Sequence, residues 1–245
     1  MPAKRRIDLL LVEPGLAPSR AVAQALVLAG KVFLGDRRID KAGAEVAIDA
    51  GVTVQESERF ASRGGHKLLG ALEALHCDVT DSICADVGAS TGGFTDCLLQ
   101  RGARRVYAID VGHGQLAHKL VTDARVVIMD RTNARNVGRQ HFTELPDLVV
   151  VDASFISLEK LLPAIASWLD PGRRLLAMIK PQFEVGREEA RRQRGVIRDA
   201  AVRGAAIERV LESVRASGFE VRAGIDSALP GPKGNVEYFV LAERS

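Results

Sequence analysis

From residue 83 onward, short aliphatic runs recur, and each carries or meets a charged side chain at its end. Ile83–Val87 contains Asp86, Arg105–Ile109 runs into Asp110, Val126–Met129 into Asp130, Leu148–Val151 into Asp152, and Arg174–Ile179 into Lys180. Between them lie stretches of helical character, Phe94 to Arg101 closed by Gly102 and Leu158 to Leu169 closed by Pro171-Gly172. Strands that alternate with helices demand a parallel sheet with helices on its faces. A helix over Ala200 to Ser217 and two more strands, Glu220 to Ile225 and Glu237 to Leu241, bring the strands to seven and add an antiparallel pair. The expected fold class is therefore α/β, a doubly wound, mostly parallel, Rossmann-like seven-stranded sheet. Ligands of such sheets lie beyond the carboxyl ends of the strands, where Asp86, Asp110, Asp130 and Asp152 all fall.

The first strand end opens into Asp86-Val-Gly-Ala-Ser-Thr-Gly-Gly-Phe94. Glycine has no Cβ, so Gly88, Gly92 and Gly93 let a ligand approach bare backbone, with Ala89, Ser90 and Thr91 between them. The helix that begins near Phe94 aims unpaired N–H groups at the same place. The spacing departs from the dinucleotide fingerprint G-x-G-x-x-G, and the Asp86 carboxylate would repel a pyrophosphate. A cationic ligand with an amino-acid end, S-adenosyl-L-methionine, suits it better. Asp110, with Val111 beside it, would accept from the ribose hydroxyls, and Asp130 from the adenine amino group. Taken alone, the stretch also allows a turn that serves only a tight strand-to-helix connection.

Residues 5–55 read as a separate α+β module. Leu9 to Val12 forms a short helix stopped by Pro14-Gly15, and Ser19 caps a second, apolar along Ala21, Val22, Ala25, Leu26 and Leu28, that ends at Gly30. Short β-type pieces follow at Lys31 to Leu34 and Glu45 to Val54. Residues 56–62 are polar and read as a linker, and 63–245 as the second domain. Net charge is only +3, but basic clusters stand at Lys4-Arg5-Arg6, Arg37-Arg38 and Arg187 to Arg198, which favours a nucleic-acid partner. The segment Gln182 to Asp199 shows no clear periodicity and reads as a long loop beside the site. Three cysteines without a C-x-x-C pair signal neither a disulfide framework nor a zinc site, so no metal is expected. No apolar run approaches the roughly 18 residues of a membrane span, and the amino terminus lacks a signal peptide's apolar region. A cytoplasmic protein without a membrane partner is expected.

The series Arg6-Ile-Asp-x-Leu-Leu, Ser19-Arg20, Ala23-x-x-Leu26, Ala29-Gly30-Lys-Val32 and Gly35-Asp36 resembles the small RNA-binding domain named after a ribosomal small-subunit protein, the S-four domain. The resemblance implies that Arg6, Arg20, Lys31, Arg37 and Arg38 face structured RNA. Downstream, Lys67, Asp152, Lys180 and Glu237 stand in the order of the tetrad of FtsJ-type ribose 2′-O-methyltransferases. Ser62-Arg-Gly-Gly-His-Lys-Leu68, Val151-Asp-Ala-Ser-Phe155, Ile179-Lys-Pro-Gln-Phe-Glu-Val-Gly186 and Gly234-Asn-Val-Glu-Tyr-Phe239 extend the likeness to the TlyA family. Members of that family carry a haemolysin label and methylate cytidine ribose in ribosomal RNA. The resemblance implies a ribosomal-RNA partner, met within ribosomal subunits, with Arg63 and Arg187 as further RNA contacts.

The same resemblance makes Lys180 the acceptor of the hydroxyl proton, Asp152 its orienting partner, and Lys67 and Glu237 the groups that position ribose and lysine. A free lysine titrates near 10.4, so a base working near neutrality needs a fall of roughly 2–3 pH units. Asp152 opposes that fall; a sulfonium and Lys67 favour it. Two other function classes compete: a methyltransferase for another RNA, a small molecule or a protein, and a membrane-active protein, which would need an apolar span or a strongly amphipathic helix.

Overall fold

The computed structural model describes residues 3–55 and 59–245, and the chain divides into two units, Met1–Arg59 and Phe60–Ser245. Residues 56–58 of the expected linker lie outside the described residues.

In the first unit, β1 (Lys4–Arg6) leads into α1 (Ile7–Leu10), and α2 (Arg20–Leu28) is followed by β2 (Val32–Leu34), β3 (Arg37–Arg38), β4 (Glu45–Ala47) and β5 (Val52–Val54). β1 pairs with β4, and β2 lies between β3 and β5, all antiparallel. The first helix sits two residues earlier than expected, because Leu11 and Val12 turn away after Leu10. Ser19 caps α2 through its side chain, and Gly30 takes φ 69° just beyond its end, as expected. Ile7, Leu11, Ala23, Val27 and Val32 form the core.

One polar group is buried with them. Asp8 is inaccessible, and its carboxylate accepts from Arg6 (3.0 and 2.9 Å), Arg20 (3.0 Å) and Gln24 (2.9 Å). The Arg6 hydrogen bond, with those from Gln24 and Arg20, holds this carboxyl well below the usual carboxylate range. Arg6 and Arg20, expected as RNA contacts, therefore tie α1 to α2 while remaining about half exposed, whereas Arg37 and Arg38 project from a hairpin into solvent.

The second unit begins at Phe60 rather than at residue 63. Phe60 is 1% exposed, and the Ala61 N–H donates to Asp96 at 2.7 Å. The polar stretch read as linker thus ends in residues that belong to the core. After α3 (Gly64–Ala74) come β6 (Ile83–Val87), α4 (Gly93–Gln100), β7 (Arg105–Ile109), α5 (His118–Val121), β8 (Val126–Met129), β9 (Leu148–Val151), α6 (Leu162–Trp168) and β10 (Arg174–Ile179). The sheet order, β8-β7-β6-β9-β10, is all parallel up to that point. β12 (Tyr238–Arg244) then inserts antiparallel between β10 and β11 (Phe219–Asp226). Both faces of the sheet are covered. Ala85, Val87, Val149 and Val151 pack toward α6 and α9 (Ala200–Ala216), while Cys84, Leu148 and Val150 pack toward α3 and α4. Burial on both faces explains the unbroken aliphatic runs. Cys84 and Cys97 are buried and in no disulfide, and burial pushes the Cys84 thiol up.

Residues 182–199 are not one loop. They contain most of α7 (Pro181–Glu184), then α8 (Arg187–Arg192), then a turn through Arg194 (φ 53°) and Gly195 (φ 76°). α8 has Glu188 and Glu189 in its first turn and Arg191 and Arg192 in its last, an order that complements the helix dipole. Its signal is charge order rather than apolar periodicity. The turn is captured by buried Asn235, which accepts from the Ile197 N–H (2.8 Å) and donates to the Gly195 carbonyl (2.9 Å). No helix among the described residues is long and apolar enough to cross a membrane.

Candidate active site

The turn after β6 is shaped by its glycines and by Asp110. Gly88 has φ 89°, and a Cβ there would stand 2.8 Å from the Asp152 carbonyl oxygen, so only glycine lets β6 and β9 end this close together. Gly92, at φ 92°, starts α4. Asp110 accepts from the Ser90 N–H (2.8 Å) and from the Gly112 N–H (2.7 Å), joining the turn to the one after β7.

Two cavities open above these strand ends and share Gly88, Ser90, Asp152, Ser154 and Phe155. The smaller, of about 490 Å³, holds Asp110, Val111, Gln115, Thr132 and Asn133. The larger, of about 610 Å³, is lined by Ala89, Thr91, Gly93 and Phe94 of the turn and by all four residues of the expected tetrad.

Those four come from four elements. Lys67 lies in the opening turn of α3, Asp152 follows β9, Lys180 follows β10, and Glu237 precedes β12. They form two ion pairs across one space. Lys67 meets Glu237 with both side chains under 10% exposed, and Lys180 Nζ stands 2.5 Å from Asp152 Oδ1. Lys180 also donates to Ser154 Oγ at 2.8 Å. Lys67 in a first turn, unfavourable by the helix dipole, is offset by the Glu237 carboxylate.

Four other expected residues have different surroundings. Asp130 lines neither cavity; it braces the turn after β7 by accepting from the Gly114 N–H (2.8 Å) and facing His113 (3.0 Å). The reading that gave it an adenine amino group missed this closer partner, which no local pattern announces. Asp86 points into the interior, wholly buried and bonded to the Thr95 hydroxyl at 2.7 Å. Arg63 is exposed at the rim of the larger cavity, its guanidinium 3.5 Å from the Pro230 carbonyl. Arg187 begins α8, but its side chain is outside the described part.

The structure adds residues that had no assigned role. Ser154, Phe155, Gln182 and Phe183 line the larger cavity, although the first two belong to one recognised stretch and the last two to another. Phe155 is 91% exposed, has φ 65°, and meets Phe183 ring to ring at 5.2 Å. An aromatic residue with positive φ is a strained arrangement, and nothing local in the sequence foretells it. Thr132 and Asn133 sit in an unpatterned segment, where a strand end was the only signal.

The site is acidic at its floor. Burial pushes the Asp86 carboxyl up to about 7, opposed by the Thr95 hydrogen bond and reinforced by the charges of Asp152 and Asp110. An acid whose folded-state value is raised contributes most stability below its unfolded value, near 4, and that contribution is lost as pH rises through about 7. Asp86→Asn should therefore flatten the change of melting temperature between pH 4 and 7 and leave the variant relatively more stable at pH 8. Melting curves across this range check it, and an unchanged pH profile would contradict it. The Asp86 Oδ1 and Gln182 Oε1 atoms are buried without a hydrogen-bond partner. Two adjoining cavities lined by the glycine turn and by the Asp110 and Asp152 carboxylates fit a cationic adenosyl ligand.

The sequence matches the FtsJ-like methyltransferase family over residues 60–244 and the S4 domain family over residues 5–52. It is 44% identical over 242 residues to the 16S/23S rRNA (cytidine-2′-O)-methyltransferase TlyA of Mycobacterium tuberculosis, covering 98% of this chain and 90% of that one. It is 38% identical to Hemolysin A of Brachyspira hyodysenteriae, covering 95% and 97% of the two chains. Among solved structures, a provisionally assigned hemolysin from Streptococcus thermophilus superposes with a TM-score of 0.75 at 39% identity, covering 99% of this chain and 89% of that one.

Proposed function

The chain belongs to the FtsJ-like methyltransferase family, in the TlyA group that carries an amino-terminal S-four domain, and on that footing we propose that it methylates the 2′-hydroxyl of a cytidine ribose in ribosomal RNA. The observation that carries this reading is the meeting of the two ion pairs, Lys67–Glu237 and Lys180–Asp152, in one cavity beside the glycine turn.

S-adenosyl-L-methionine, when bound, supplies an electrophilic methyl group. Gly88, Ala89, Ser90, Thr91, Gly93 and Phe94 would hold its amino-acid end, and Asp110, Val111, Thr132 and Asn133 its adenosine. Lys180, once uncharged, would take the proton of the acceptor hydroxyl, freeing that oxygen's electron pair for the methyl group as the methyl–sulfur bond breaks toward sulfur. Asp152 and Ser154, two residues apart in the loop after β9, orient the amine. Lys67, fixed by Glu237, donates to ribose oxygens on the other wall. Ser62, Phe94 and Phe183 give the cavity apolar or small walls that displace water from the reacting oxygen.

A ribose hydroxyl inside a paired stem cannot reach such a site, so the target nucleotide must be splayed out. Phe155 offers an exposed ring at the mouth on which its base can stack. Arg37, Arg38 and Lys31 of the S-four domain, and Arg63 with the arginines from Arg187 to Arg198, would bind phosphates of the RNA. The setting is ribosomal subunits in the cytoplasm, with no metal and no membrane taking part.

Radioactive methyl transfer tests this reading. Label from S-adenosyl-L-methionine should enter ribosomal RNA or subunits and map to a cytidine 2′-oxygen by reverse-transcription stops. Label confined to protein, or lysis of liposomes by the pure chain without cofactor, would displace the reading.

A further inference from the structure

The loop after β9 and the segment after β10 are joined by three successive contacts. Lys180 reaches Asp152 at 2.5 Å and Ser154 at 2.8 Å. Phe183, three residues on, packs its ring against Phe155 at 5.2 Å. Glu184, next in line, accepts from the Ser157 hydroxyl at 2.7 Å and from the Leu158 N–H at 2.9 Å. Its side chain belongs to a residue only 6% exposed, and its backbone carbonyl accepts from Arg209 of α9. Contacts therefore advance in step along both segments.

Phe155 sits between the outer two contacts. Its φ of 65° and 91% exposure are a conformation that persists only where surrounding structure over-determines it. Lys180 holds one end of the loop and Glu184 the other. We propose that Glu184 is a positioning residue for the acceptor nucleotide: by gripping Ser157 and Leu158 it keeps the Phe155 ring presented at the mouth of the catalytic cavity and keeps Asp152 aligned on Lys180. The inference rests on the RNA methyltransferase reading and adds a residue outside the tetrad. The Leu158 N–H can only donate, so the grip needs an acceptor. Reaching it from α7 needs the length of a glutamate side chain, and aspartate would fall one methylene short.

The test measures steady-state methyl transfer to ribosomal RNA by folded variants. Glu184→Ala should lower kcat/KM by about 10- to 100-fold, the scale on which small misplacements act. Glu184→Gln should stay close to the wild type, since its oxygen still accepts from Leu158 and its NH₂ can donate to Ser157. Phe155→Ala combined with Glu184→Ala should be no worse than the more severe single variant, because both remove one presented ring. Ser157→Ala, which empties no core, should lose roughly 2- to 10-fold and serves if Glu184→Ala does not fold. Losses that multiply in the double variant, or unchanged activity in Glu184→Ala and Ser157→Ala, would overturn the inference. A wild-type chain that leaves RNA unlabelled would sink the proposed function as well, whereas an active wild type with an equally active Glu184→Ala sinks this inference alone.

Discussion

Lys180→Ala should lower methyl transfer to RNA by roughly 10²- to 10⁴-fold, the contribution of one positioned general base, while binding of S-adenosyl-L-methionine persists. The side chain touches Asp152 and Ser154 but none of the residues of the smaller cavity's far wall, so its loss removes a proton acceptor without emptying the cofactor site. Removing it leaves Asp152 a quarter exposed, and water can solvate that carboxylate, so the fold should survive. Lys180→Arg separates charge from basicity. A guanidinium preserves the pairing with Asp152 but does not give up its proton in proteins, so this variant should be as inactive as alanine. Single-turnover transfer with saturating cofactor, alongside calorimetric cofactor binding, checks both. An active Lys180→Arg enzyme would mean that the residue acts through charge alone.

The second large effect concerns stability. Lys67 and Glu237 face each other with side chains only 8% and 3% exposed. Removing one partner leaves the other charge buried and unpaired, at a cost of about 3–5 kcal/mol. Lys67→Met or Glu237→Leu alone should show that loss, and the double variant should recover most of it, because a well-packed apolar pair is often as stable as a buried ion pair. Trp168, the only tryptophan and wholly buried in the second unit, reports unfolding of that unit by fluorescence in urea. Singles within 1 kcal/mol of the wild type would show that water reaches the pair. The double variant should remain inactive, which separates the pair's part in catalysis from its part in folding.

How much of this was readable from residue order depends on the range of the interaction involved. β9 and β10 fall where their aliphatic runs predicted, because strands buried on both faces need unbroken apolar side chains. α8 was missed because its organisation is electrostatic, with acids in the first turn and arginines in the last. Phe60 was taken into the linker because a single aromatic among polar neighbours carries no period. Asp86 was read as facing the ligand, and its strand instead turns it inward onto Thr95. In a strand, side chains alternate faces, and strand ends alone do not say which face is toward the site.

The sequence by itself determined the alternating strands and helices and the glycine turn that only bare backbone can form. Those are local properties, encoded in the hydrophobic period and in the steric freedom of glycine, whereas Lys67, Asp152, Lys180 and Glu237 were singled out by a family resemblance. Which lysine meets which carboxylate was decided by the tertiary structure alone. Lys67 finds Glu237 across 170 residues, because β12 runs back antiparallel beside β10 and delivers Glu237 to the strand-end face. The positive φ of Phe155 likewise lies in a loop that Lys180, Phe183 and Glu184 contact from beyond the neighbouring strand. Contacts between distant segments depend on sheet order and loop closure, and the local pattern of residues does not record either.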